Sequence, residues 1–150
     1  MENVSSVVQV PDEDRVHQWA SAALHEVDRA LELSIRIVDE AESAELNEQY
    51  RHKTGSTNVL SFPADLPDEL NLPLLGDLVI CAPVVEQEAA QQNKDVEAHW
   101  AHMVIHGCLH LIGYDHVQEN DAEMMETLET NILVSLGFPP PYEETLAKSN

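Results

Sequence analysis

Apolar and polar positions along this chain alternate with two periods. From Asp12 to Leu31 the residues Val16, Trp19, Ala20, Ala23, Leu24, Val27 and Leu31 recur at helical spacing, which predicts an amphipathic helix. Leu33, Ile35 and Ile37 then alternate with polar neighbours, the period of a half-buried strand. Glu40–Tyr50 reads as a short acidic helix and Lys53–Ser56 as a turn. Asn58–Phe62 follows as a strand closed by Pro63, and Gly76–Ala82, almost continuously apolar, as a buried strand. Between these two strands, Ala64–Leu75 carries Pro67 and Pro73 and reads as a loop. Pro83 suits the first turn of a helical region that runs to about Ile112, with an interruption near Asn93–Asp95. A last helix covers about Glu119–Leu136, stopped by Gly137 and Pro139–Pro141. At the start, Val4–Val10 is β-prone and ends at Pro11.

Strands interleaved with helices, followed by helices alone, predict an α+β fold with a small mixed four-stranded sheet. The 150 residues suffice for one domain with a substantial core, spanning 1–150 with a loose tail over about 143–150. No run approaches the roughly 18 consecutive apolar residues of a membrane span. The N-terminus lacks the basic and apolar regions of a secretory leader, so a cytoplasmic protein with no membrane partner is expected. Cys81 and Cys108 stand alone, without metal or redox spacing, and read as buried thiols in a reducing compartment. Charge changes the picture more. Asp and Glu number 28 against 7 Lys and Arg, and the net charge of -21 disfavours non-specific binding to nucleic acid. Arg51-His52-Lys53 is the one basic cluster, hence the place where a phosphate could be handled.

The run His106-Gly-Cys-Leu-His110-Leu-Ile-Gly113-Tyr-Asp-His116 carries the candidate chemistry. On a helix, His106 and His110 lie about 40° apart around the axis and one turn apart along it, so both imidazoles can reach one metal ion. Were the helix to continue, His116 would lie roughly 9 Å beyond His110. Gly113 is the residue type that ends a helix in the left-handed conformation and turns the chain back. The expectation is a three-histidine site with an open fourth position, at the end of a central helix, of the kind that holds a catalytic zinc. His102 with His106 forms a competing i, i+4 pair, but no turn follows it to bring a third ligand. His102 is therefore placed outside the ligand set, as is Asp115, a carboxylate able to orient a histidine. The spacing equals that of the metzincin proteases, His-Glu-x-x-His-x-x-Gly-x-x-His, which need the Glu as general base. Here that position is Gly107, and the peptidase machinery is missing.

These residues resemble the YbeY family of bacterial rRNA-maturation endoribonucleases. The likeness rests on the histidine block, on Leu46-Asn-Glu-Gln-Tyr-Arg-His-Lys53 leading into Thr57-Asn-Val-Leu-Ser-Phe-Pro63, and on Gly76-Asp-Leu-Val-Ile-Cys81. The resemblance implies a single-strand-selective, metal-dependent endoribonuclease acting on the 3′ end of small-subunit (16S) rRNA and in ribosome quality control. It implies one zinc ion on His106, His110 and His116, and Arg51 with His106 as catalytic residues. From the residues themselves, Asp115, His102 and Lys53 are candidates for supporting or substrate contacts around the site. The partners implied are rRNA and the ribosome or its proteins, with no DNA.

In such a reaction a guanidinium can grip two phosphoryl oxygens at once, which suits Arg51; its bland role is a surface ion pair. Ser61 and Asn58 could touch ribose but read more simply as strand residues, and Trp19 and Trp100 as core. Two other functions fit the same residues. One is a metal-dependent hydrolase of another phosphoester. The other is a non-enzymatic ribosome-assembly factor whose metal is structural and whose acidic surface docks to basic ribosomal proteins.

Overall fold

The computed structural model describes residues 1–7, 9–25, 32–64, 74–113 and 119–141. Its elements run β1 (Glu2–Asn3), α1 (Glu13–Ala23), β2 (Glu32–Val38), α2 (Glu40–Arg51), β3 (Val59–Pro63), β4 (Leu74–Cys81), α3 (Ala82–Gln91), α4 (Val96–Leu111) and α5 (Glu119–Ser135). The strands lie in the order β1-β2-β4-β3; β1, β2 and β4 are parallel and β3 runs antiparallel to β4. The expected α+β domain with a four-stranded mixed sheet is thus what the chain forms.

Strand alternation sorts side chains between two layers. Ile35, Ile37, Val59, Leu78 and Ile80 pack into the larger core with α1, α4 and α5, whereas Val38, Leu60, Val79 and Cys81 face the other side with Leu46 of α2. Helix α4 sits at the centre. Most of its surface is covered by the sheet and by α1, α3 and α5, so apolar residues occur around nearly its whole circumference. It crosses the sheet at Gly107: a methyl group there would lie 2.7 Å from Leu78 Cδ2 and 3.2 Å from Val59 Cγ2. Ser61 Oγ locks the crossing by donating to the Gly107 carbonyl, 3.1 Å away. The two cysteines lie in different layers, both buried and both free.

Two boundaries differ from expectation and one expected break is found. None of the described residues of Val4–Val10 lies in a strand; Glu2–Asn3 pairs with β2, and Val4 N donates to Ile37 O at 2.9 Å. Local polar bonds capture the chain instead, with Ser5 N on Asn3 Oδ1 at 3.0 Å and Ser6 N on the Asp39 carboxylate at 2.9 Å. Helix α1 stops at Ala23 rather than Leu31. Leu24 caps the helix with its N–H on Ala20 O, and residues 26–31 of the expected helix lie outside the described residues. The interruption near Asn93 is real: Asn93 takes φ 58° and separates α3 from α4. The tail expected from about 143 lies outside the described residues.

Candidate metal centre at the end of the central helix

Four histidines run along α4. Ring centroids are 6.1 Å apart for His99 and His102, 6.3 Å for His102 and His106, and 4.6 Å for His106 and His110. The first two are buried, while His106 and His110, towards the helix's C-terminal end, are partly exposed. The Nε2 atoms of His106 and His110 face each other at 3.1 Å. Two ligands of a tetrahedral zinc at the usual Zn–N length stand about 3.3–3.4 Å apart, so this pair fits one edge of such a site. The carbonyl end of α4 adds a partial negative charge that favours a cation.

Beyond His110 the helix closes as expected. Ile112 N bonds Cys108 O at 3.2 Å, Gly113 N bonds His110 O at 3.1 Å, and Gly113 takes φ 107°. The following residues, including the expected third ligand His116 and the orienting carboxylate Asp115, lie outside the described residues. Among the described residues no group of three or more potential ligands converges, and the described part of the site is the histidine pair.

Sequence reasoning missed the residue that braces this pair. Glu129 of α5 is 1% exposed. Its Oε1 accepts from His106 Nδ1 at 2.7 Å and its Oε2 from His102 Nε2 at 2.5 Å. Burial pushes the Glu129 carboxyl up, but the hydrogen bonds from the two imidazoles outweigh it and hold the group down at about 2. Burial lowers His102 more strongly than the hydrogen bond and charge of Glu129 raise it. His102 therefore belongs to the support of the site and not to the surface. The available signal was a carboxylate in the apolar stripe of α5, one turn from Met125 on one side and Leu133 on the other.

Arg51 is the last residue of α2, on the opposite face of the sheet, and is exposed. Its neighbour Tyr50 packs on Phe62 of β3, centroids 5.3 Å apart, while Ser61, the preceding residue of that strand, bonds α4. Arg51 and the histidine pair thus flank the same edge strand. No hydrogen bond or ion pair joins Arg51 or Lys53 to the histidines among the described residues. The turn after Arg51 is tied back by two buried polar side chains that sequence reasoning also missed. Ser43 Oγ donates to Thr57 O at 3.0 Å and accepts from Thr57 N at 3.1 Å, and Asn47 Nδ2 donates to Gly55 O at 2.9 Å. Asn58 and the tryptophans have structural roles: Asn58 Nδ2 donates to both Glu88 oxygens at 3.2 Å, and Trp19 and Trp100 are core.

The fold and the site define an α+β domain whose central helix ends on a histidine pair braced by a buried carboxylate. The family model described as Endoribonuclease YbeY matches residues 1–137, and the chain belongs to that family. It is 59% identical over 135 residues to Endoribonuclease YbeY of Pseudomonas putida strain W619, covering 89% of this chain and 86% of the relative. Over 142 residues it is 58% identical to the protein of that name from Pseudomonas savastanoi pv. phaseolicola, covering 94% of this chain and 86% of the relative. Among solved structures, the solution structure of TM1509 from Thermotoga maritima superposes with a TM-score of 0.60 at 26% identity, covering 89% of this chain and 87% of that one. The resemblance drawn from the histidine block is borne out across the domain.

Proposed function

We propose that this chain is a zinc-dependent, single-strand-specific endoribonuclease that matures the 3′ end of small-subunit (16S) rRNA and serves ribosome quality control in the cytoplasm. Membership of the Endoribonuclease YbeY family supports RNA as the substrate. The observation that carries the metal is the 3.1 Å approach of the His106 and His110 Nε2 atoms. His106, His110 and His116 would hold one zinc ion. Zinc so held supplies Lewis acidity towards a phosphoryl oxygen and acidifies water.

The chain's own residues do the rest. Glu129 Oε1 braces His106 at Nδ1, 2.7 Å away, while His106 Nε2 faces His110 Nε2. Arg51 offers a guanidinium with no carboxylate partner among the described residues, and it grips phosphoryl oxygens as charge develops on them. Lys53, exposed two residues on, adds a second phosphate contact.

The test is cleavage of an rRNA 3′-end fragment by metal-quantified wild type, His110→Ala and Arg51→Ala. Wild-type cutting is expected, with His110→Ala losing both metal and cutting and Arg51→Ala losing cutting alone. Equal cutting by all three would trace the activity to a contaminating nuclease and sink the proposal. The net charge of -21 favours a second reading, a non-enzymatic assembly factor that docks to basic ribosomal proteins and keeps its metal for stability. Absence of cutting by fully metallated wild type, with binding to such proteins that collapses in salt, would favour it.

A further inference from the structure

A carboxylate inside an apolar helix stripe needs an explanation. Glu129 lies between Met125 and Leu133, both 1% exposed, at a position where leucine or methionine would pack without a charge to desolvate. Each of its oxygens is engaged by a histidine of α4. Oε2 takes the His102 Nε2 proton at 2.5 Å and Oε1 the His106 Nδ1 proton at 2.7 Å. Bonds from donors about one helical turn apart fix the plane of the carboxylate and hence the direction of its Oε1 lone pair.

A neutral imidazole has two tautomers, and the one present is set by what its other nitrogen bonds. For His106 a carboxylate at Nδ1 selects Nδ1–H and leaves Nε2 as an acceptor, 3.1 Å from His110 Nε2. We infer that Glu129 is a positioning residue: it sets the tautomer and ring direction of His106 before any ion arrives, with His102 as the anchor that keeps the carboxylate in place. This inference rests on the metal reading above for its purpose, while its structural content, the tautomer of one histidine, stands independently.

A different explanation gives Glu129 only a structural role, as a buried tie between α4 and α5. On that explanation Glu129→Gln and Leu133→Ala, a cavity one turn further along α5, should act alike, lowering the melting temperature without altering His106. The positioning role separates them, because Leu133→Ala leaves both imidazole–Glu129 bonds in place.

Two measurements decide: long-range ¹⁵N–¹H NMR of the imidazoles in the metal-free full chain, and Zn²⁺ affinity by competition with a chromophoric chelator. In wild type His106 should be protonated on Nδ1. Glu129→Gln should convert it to a mixture and weaken zinc binding about 10- to 100-fold, while Leu133→Ala keeps the Nδ1 tautomer and stays close to wild-type affinity. An unchanged His106 tautomer in Glu129→Gln, or equal loss of zinc affinity in the two variants, overturns the inference. If wild type takes up no zinc, the metal reading falls and the metal-free spectra alone decide the role of Glu129. Should Glu129→Gln not fold, the wild-type spectrum decides: protonation on Nε2 overturns the role, and protonation on Nδ1 with a carboxylate-type proton shift supports it.

Discussion

Replacing Gly107 by alanine tests how the sheet positions the histidines. The new methyl carbon would meet Leu78 Cδ2 at 2.7 Å, Val59 Cγ2 at 3.2 Å and Leu78 Cδ1 at 3.3 Å. Non-bonded carbons settle at about 3.5–4.0 Å, so helix and sheet must separate by roughly 1 Å. Neither neighbour can retreat cheaply, since Leu78 is 0% and Val59 7% exposed. Overpacking of this kind costs about 1–3 kcal/mol, and such immobile neighbours place it in the upper half of that range. Against it, alanine gains about 1 kcal/mol over glycine in a helix interior. The net expectation is a loss of about 1–2 kcal/mol in urea unfolding, together with weaker zinc binding, because the displacement moves the helix that carries His106 and His110. A Gly107→Ala variant that is more stable than wild type by the propensity gain alone, with unchanged zinc affinity, would refute the argument. The same geometry explains why the position cannot carry a protease's glutamate: its side chain would enter the sheet.

Three further expectations follow from other parts of the molecule. Burial pushes the Glu88 carboxyl up, but hydrogen bonds from His99 and Asn58 outweigh this and leave it below the ordinary value of 4.5. Its contribution to stability is therefore full above the unfolded value and lost as pH falls through the folded one. The stability gap between wild type and Glu88→Gln in urea should be flat above about pH 5 and close below it, and a gap that widens on acidification contradicts the assignment. Burial pushes the Cys108 thiol up to about 12 and raises Cys81 as well, so neither should react with a thiol reagent at pH 8 until denaturant is added; rapid labelling of the native chain would show the burial to be wrong. Finally, if Arg51 and Lys53 supply the phosphate contacts, single-stranded RNA affinity should fall with log salt at a slope near -1.4, and Arg51→Ala should reduce that slope by about 0.7 while leaving stability within about 0.5 kcal/mol of wild type. A slope unchanged by the substitution would remove Arg51 from the RNA contacts.

What could be read in the sequence was what the backbone alone determines. His106 and His110 converge because four residues make about one helical turn, and Gly113 turns the chain because positive φ suits glycine. The sheet strands β2, β3 and β4 were legible because period-2 alternation reports which face each side chain takes. Glu129 was not, because its meaning depends on α5 lying against α4, and no local spacing encodes that contact. Ser43 and Asn47 were hidden for the same reason: in sequence they are polar residues of an acidic helix, and only the folded turn reveals them as partners of Thr57 and Gly55. Val4–Val10 misled because strand propensity there competes with side-chain bonds from Asn3 and Asp39 that keep the chain out of the sheet.

The placement of cations bears on how so acidic a chain engages RNA. Arg15 is held by Glu97, and Arg36 by Glu42 and Glu2, so these positive charges are already neutralised within the protein. Among the described residues, Arg51 and Lys53 have no such carboxylate partners, and both stand exposed at the end of α2. On the proposed function, Arg51 and Lys53 offer attraction for phosphate in one turn beside the edge strand, while the acidic surface repels polyanions over roughly a Debye length, about 8 Å at physiological salt. A duplex presents many phosphates on a stiff body and meets that repulsion along its length. A flexible single strand can bring one or two phosphates to Arg51 and Lys53 while the rest of it bends away. The net charge of -21 therefore favours the strand selectivity that the family resemblance implies, with binding local to this turn and the metal site.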